Sequence, residues 1–178
     1  MRAAILLTVL SAAACKSEWY GTSNVYAWNG TDQIVKLQVE GTDDLDLTLR
    51  PQSGELLRDV VAGPYTIVTK REGQPDVSAR TEIRKGDLTV LNVDGLGCFA
   101  RADVAGKYSA NMRFPVQVVS EYSKDPVIRI ESAIDVLPSE LLPKNRPKSA
   151  YGFYRVSQVP CELIGDRNKM AEHLKEQR

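Results

Sequence analysis

Val35, Leu37 and Val39 alternate with Lys36, Gln38 and Glu40 along one short stretch of the chain. The same rhythm recurs. Leu45, Leu47 and Leu49 alternate with Asp46 and Thr48, and Ile128 and Ile130 with Arg129 and Glu131. Val77, Ala79, Thr81 and Ile83 alternate with Ser78, Arg80, Glu82 and Arg84. A strand points successive side chains to opposite faces, so this period of two predicts strands with one face on a core and one in water. Residues 88–93, Leu-Thr-Val-Leu-Asn-Val, are more uniformly apolar and predict a central strand. Turn residues punctuate the runs at Asn29-Gly30, 41–44, 51–54, Ala62-Gly63-Pro64, 72–75, 85–87 and Asp94-Gly95. Asn29-Gly30 can supply the positive φ angles of a tight hairpin. Many short strands with frequent turns predict an all-β chain, a single antiparallel β-sandwich rather than alternating βαβ units.

Beyond residue 104 the pattern loosens. Residues 116–122 and 127–133 read as a pair of strands around Ser123-Lys124-Asp125-Pro126. Residues 137–148 hold Pro138, Pro143 and Pro147 among charged residues, which suits an exposed loop. A return strand follows near 151–161. From Asp166 onward Met170, Ala171 and Leu174 fall on one helical stripe, with Asp166 placed to cap it. The rest of that segment is charged, so a marginal surface helix or frayed tail is expected.

The N-terminus has a different character. Met1-Arg2 is followed by a short apolar run, 3–10, and then by Ser11-Ala12-Ala13-Ala14-Cys15. One basic residue, a brief apolar core and small residues before a cysteine form an export signal. The run is far below the ~20 residues a membrane-spanning helix needs. The small residues before Cys15 resemble the lipobox of bacterial lipoproteins, although Ala12 stands where that family usually has Leu. The resemblance implies cleavage before Cys15 and lipidation of its N-terminus; ordinary signal peptidase acting at Ala12-x-Ala14 is the alternative. In enterobacterial lipoproteins the residue after the cysteine directs sorting, and Lys16 then implies the outer membrane.

A second resemblance lies at Val60-Val61-Ala62-Gly63-Pro64-Tyr65-Thr66-Ile67. A strand, a loop and then V-x-A-G-x-Y-x-I is similar to transthyretin-like and other immunoglobulin-like modules of bacterial envelope proteins. It implies a turn at Gly63-Pro64 with Tyr65 and Ile67 pointing inward, and it covers about residues 24–100. Such a motif marks a fold, not a function. The expected organisation is a signal peptide over 1–14, a lipidated tether over 15–23 and a sandwich over 24–161 with a 104–160 excursion. A helix or tail over 162–178 completes it. Stretched, the eight residues 16–23 reach about 28 Å, which keeps the domain near the bilayer. Trp19 and Tyr20 in that tether suit the headgroup level or one edge of the core.

Removing residues 1–14 leaves 164, a comfortable size for one domain, with 22 basic against 23 acidic side chains. Neither a basic stripe nor an acidic tail recommends nucleic acid as a partner. The cysteines are Cys15, Cys98 and Cys161. With Cys15 lipidated, Cys98 and Cys161 are left to pair, as an oxidising envelope favours. Two separate buried thiols are the alternative.

Candidate chemistry is thin. His173 stands alone in the charged terminal segment, and neither a Ser-His-Asp or Cys-His arrangement nor a His-based metal motif can be assembled. Gly-x-Ser-x-Gly and Ser-x-x-Lys do not occur. Residues 95–100 match Gly-x-Gly-x-x-Ala after an apolar strand, a spacing found in dinucleotide-binding turns. Without βαβ alternation, and with Cys98 inside the motif, it reads as a glycine-rich connection at a sandwich rim. Glu40, Asp43, Asp44 and Asp46 gather acidic oxygens, but the spacing fits no EF-hand and a solvated turn is expected. Tyr151-Gly152-Phe153-Tyr154 is the densest aromatic group, suited to a partner contact or to a core-filling strand.

The expected protein is thus a lipid-anchored, non-catalytic binding or scaffolding subunit of an envelope assembly. It is expected to have a protein partner and no cofactor, metal, nucleotide or nucleic acid. A carboxylate-based hydrolase of envelope polymers and a lipid-tethered inhibitor are the competing classes.

Overall fold

The structure is a computed structural model that describes residues 21–108, 116–131, 134–145 and 152–177. Cys15, Trp19, Tyr20 and Tyr151 lie outside these residues. The chain is all-β with a sandwich-like stacking and one short C-terminal helix. Three sheets are stacked rather than two. Strands β1 (Thr22–Asn29), β4 (Ser53–Val61), β7 (Leu88–Asn92) and β10 (Val127–Ile130) form a central sheet in the order β10-β7-β1-β4. An outer sheet takes β2 (Val35–Glu40), β3 (Leu45–Leu49), β5 (Gly63–Lys70) and β6 (Val77–Ile83) in the order β3-β2-β5-β6. The third contains β8 (Cys98–Asp103), β9 (Gln117–Ser123) and β11 (Tyr154–Val159) in the order β11-β8-β9.

The layering follows from which faces are apolar. Val25, Ala27 and Leu91 of the central sheet pack on Val35, Leu37, Val39, Tyr65 and Ile67 of the outer sheet. The opposite face, with Tyr26, Trp28, Val90 and Ile128, packs on Phe99 and Val156 of the third sheet. Every residue of β7 is buried, as a strand covered on both faces requires. The far face of the third sheet, with Ala100, Ala102, Val118 and Val159, is covered by α1 (Arg167–Glu176) through Met170 and Leu174. Asp166 caps that helix by accepting from the Lys169 N–H at 3.1 Å. The helix is therefore docked rather than frayed: Met170 is 0 % and Leu174 2 % exposed.

Several expectations are corrected. Asn29-Gly30 does not close a hairpin, because β1 pairs with β4 and β7 while β2 pairs with β3 and β5 in another sheet. The antiparallel rule has one exception, since β1 and β7 run parallel. Gly63-Pro64 is not a turn. The chain passes from β4 to β5 at Ala62 alone, whose N–H bonds the Gly21 carbonyl at 2.8 Å, and Gly63 and Pro64 already pair with Ile83 and Glu82. Tyr65 and Ile67 do point inward, and the Tyr65 hydroxyl donates to the Val61 carbonyl at 2.7 Å. β9 and β10 are not partners: β9 pairs with β8 and β10 with β7. Their alternation specifies strands but not which neighbour each finds. Cys98 and Cys161 are disulfide-bonded across 63 residues, at the end of the β8–β11 pair.

Candidate functional site

One end of the stack collects the loops at 30–34, 50–52, 71–76, 93–97, 124–126 and 160–165. Its anchors are two buried asparagines at the ends of the parallel neighbours β1 and β7. Asn29 Nδ2 donates to the carbonyls of Gln33 (2.8 Å), Arg50 (3.0 Å) and Leu49 (3.3 Å). Its Oδ1 accepts from the Thr31 N–H (3.0 Å) and the Thr31 hydroxyl (2.7 Å). Asn92 does the same next door. Its Nδ2 donates to the carbonyls of Gly97 and Asp125, both at 3.0 Å, and its Oδ1 accepts from the Gly97 N–H at 2.7 Å. A side-chain amide that replaces missing backbone partners lets buried loops leave a sheet without orphaned groups.

The glycines of the 95–97 connection have steric reasons. Gly95 has φ +66°, and a Cβ there would lie 2.5 Å from the Lys124 carbonyl oxygen. At Gly97 a Cβ would lie 2.5 Å from Trp28 Cδ1. These contacts, with Cys98 in a disulfide, make the motif a packed rim connection. Arg71 and Asp94 form a two-bond ion pair that ties the 71–76 loop to it, with Nη2 to Oδ1 at 3.0 Å. A sulfur of the disulfide lies 3.5 Å from the Leu96 carbonyl oxygen. The loops are thus cross-tied into one surface.

That surface exposes apolar side chains. Ile34 is 58 %, Leu96 52 % and Val77 50 % exposed, and all three lie on this rim. Ile34 borders an open depression of about 860 Å³ that is also lined by Gln33, Lys36, Lys70, Arg71 and Glu72. Lys36 and Lys70 stand directly opposite each other on β2 and β5. Like charges so paired disfavour the sheet by a small amount and leave this end of the two strands locally basic. The Trp28 indole N–H is buried beneath the rim with no acceptor among the described residues.

The residues singled out from sequence are scattered. Cys98 and Cys161 belong to the rim. Phe153 is 1 % exposed inside the core against α1, so it is not available to a partner. Tyr154 is half-buried with the Arg101 guanidinium 4.1 Å from its ring centroid. The Tyr151–Tyr154 group therefore reads as core and support; Tyr151 itself lies outside the described residues. His173 is half-buried on α1, 3.0 Å from Gln177 Nε2. Asp43 and Asp44 are not simply solvated: they accept from the Val61 and Gly41 N–H groups at 3.4 and 3.2 Å. Among the described residues no His, Cys, Asp and Glu gather in threes as metal ligands. No helix among them is long and apolar enough to cross a membrane.

Sequence reading missed Ile34 and Leu96, and it placed Val77 on a core-facing side of its strand, where the side chain is 50 % exposed because the start of β6 runs past the covered part of the sheet. The signal at Ile34-Val35 was two adjacent apolar residues, of which a strand covered on one face can bury only one. Comparisons with family models, with curated proteins and with solved structures find no match.

Proposed function

We propose that the chain is a lipid-anchored, non-catalytic binding subunit of a bacterial envelope assembly, held through Cys15 and docking a protein partner on the rim. The observation that carries the reading is that Ile34, Leu96 and Val77 are all exposed at the same end of the stack, on loops and strand ends that are cross-tied. Exposed apolar groups concentrated in one place mark contact surfaces, whereas scattered ones need no explanation. Lys36 and Lys70 beside them favour a partner that offers acidic side chains around an apolar anchor. The direction of β1 adds support. Its two ends are about 23 Å apart at ~3.3 Å per residue, so an anchor entering at Thr22 leaves the rim facing away from the bilayer.

Two variants test this. Ile34→Asp with Leu96→Asp should leave folding intact, since exposed substitutions cost within about 0.5 kcal/mol each. It should abolish the adduct that crosslinking in intact cells captures with the wild type. Cys15→Ala should release the protein from the detergent phase into the aqueous phase. Unchanged crosslinking by the double variant removes the rim from the account. Aqueous partitioning of the wild type removes the anchor.

A further inference from the structure

We propose that Lys107 and Arg155 form a binding site for a phosphate group, separate from the rim and independent of its role. Arg155 is the second residue of β11, and Lys107 lies in the short 3-10 turn Ala105–Tyr108 that follows β8. That turn begins at the end of β8 opposite Cys98 and its disulfide. Both residues are half-buried. Arg155 carries five N–H donors, yet among the described residues its one hydrogen bond runs from Nη2 to the Glu140 carbonyl at a long 3.4 Å. Its Nε is buried with no acceptor. Lys107 Nζ donates to the Gln177 carbonyl, a neutral partner, and two of its three N–H bonds find no acceptor among the described residues.

Neither cation has a counter-charge among the described residues. The neighbouring carboxylates are engaged elsewhere. Glu140 pairs with Arg58 and accepts from the Leu137 N–H, Asp103 accepts from the Ala105 and Phe153 N–H groups, and Asp135 accepts from that of Tyr154. The charged neighbour that acts on Lys107 is Arg155 itself; together with burial it pushes the lysine's affinity for its proton down.

Two half-buried like charges without an anion destabilise a fold, and an anion that enters between them removes that penalty. The turn that carries Lys107 lies beside the start of β11: the Val104 N–H bonds the Phe153 carbonyl at 2.8 Å and the Tyr108 ring sits 5.7 Å from that of Phe153. Unused donors on these two adjoining elements, a guanidinium fork and an ammonium, match a tetrahedral oxyanion with several acceptors. The Tyr108 hydroxyl, bonded to the Pro143 carbonyl at 2.8 Å, borders the site.

The test is a titration of the full chain with inorganic phosphate at constant ionic strength, followed by phosphorus NMR line broadening. Saturable binding is expected, weakened roughly tenfold or more by Arg155→Met and by Lys107→Met, because each removes charge-assisted bonds. Lys169→Met, on the exposed face of α1, should leave it unchanged. If Arg155→Met fails to fold, as a thermal melt will show, Lys107→Met decides. A second arm mixes the Cys15→Ala chain with phosphatidylglycerol vesicles or with phosphatidylcholine vesicles. Capture by the first alone, lost in Lys107→Met, identifies a lipid headgroup as the source; phosphate binding without capture identifies a soluble phosphate. No saturable phosphate binding, or equal binding by wild type and both variants, overturns the proposal.

Discussion

Replacing Asn29 tests how the rim is held. Its side chain is 0 % exposed and engages five groups at the end of β1. In Asn29→Ala the Leu49 carbonyl and the Thr31 N–H lose a partner inside the protein, where water does not reach them. A buried group left unsatisfied costs about 1–3 kcal/mol, so these two contribute roughly 2–6 kcal/mol. The Gln33 and Arg50 carbonyls are nearer to water and add little. At about 2–4 °C per kcal/mol for a chain of this size, melting should fall by roughly 10 °C. Asn29→Asp separates hydrogen bonding from packing. It keeps the volume but turns two donors into an acceptor facing three carbonyl oxygens, and it buries a charge. The order of stability should therefore be Asn, then Ala, then Asp, measured by urea denaturation with an unchanged slope. An Asp variant as stable as the wild type, or an Ala variant within about 1 kcal/mol of it, would falsify the anchoring role.

Further outcomes follow from other contacts. Reducing the Cys98–Cys161 bridge, which closes 63 residues, should cost up to roughly 4 kcal/mol on the chain-entropy argument; a melting temperature indifferent to reductant contradicts the pairing. Met170→Ala or Leu174→Ala should each cost about 2–5 kcal/mol, as for core residues. Losses near zero would mean that α1 is a surface helix after all. Glu121 on β9 accepts from the Gly165 N–H at 2.7 Å and from Arg167 Nε at 2.9 Å, bonds that hold its carboxyl below the ordinary 4.5. A lowered folded value gives stability that is complete above the ordinary value and lost as pH falls through the folded one. Glu121→Gln should flatten that acid limb in pH-dependent melts, and an identical profile refutes the assignment.

The strands were legible because alternation and burial share one cause. Val35, Leu37, Val39, Leu47, Leu49, Ile83, Ile128 and Ile130 are buried where the period of two points them inward. The third sheet was not foreseen, though Val25-Tyr26-Ala27-Trp28 carried its mark. Four consecutive apolar residues need two covered faces, the reasoning that placed residues 88–93 centrally. Strand partners were illegible for a different reason. A run such as 116–122 fixes which side chains face inward, while its neighbour depends on contacts distant in sequence. The helix was undervalued because only Met170 and Leu174 bury deeply, and two residues make a weak stripe in a charged segment. Asn29 read as a turn former and Asn92 as part of a central strand, yet each works through bonds to several loops at once. The rim was hidden because exposure of Leu96 depends on how its flanking glycines pack, and a one-residue apolar signal carries no direction.

The central claim is that a partner docks on the rim, and the five large aliphatic side chains exposed among the described residues give a direct comparison. Ile34, Leu96 and Val77 lie on the rim, whereas Val119 and Leu141 are exposed elsewhere. A photo-crosslinking residue placed singly at each of the five positions, activated in intact cells, reads their surroundings under identical conditions. The account predicts a common envelope-protein adduct from Ile34, Leu96 and Val77 and none from Val119 or Leu141. Adducts from Val119 or Leu141 alone, or equally from all five, contradict it.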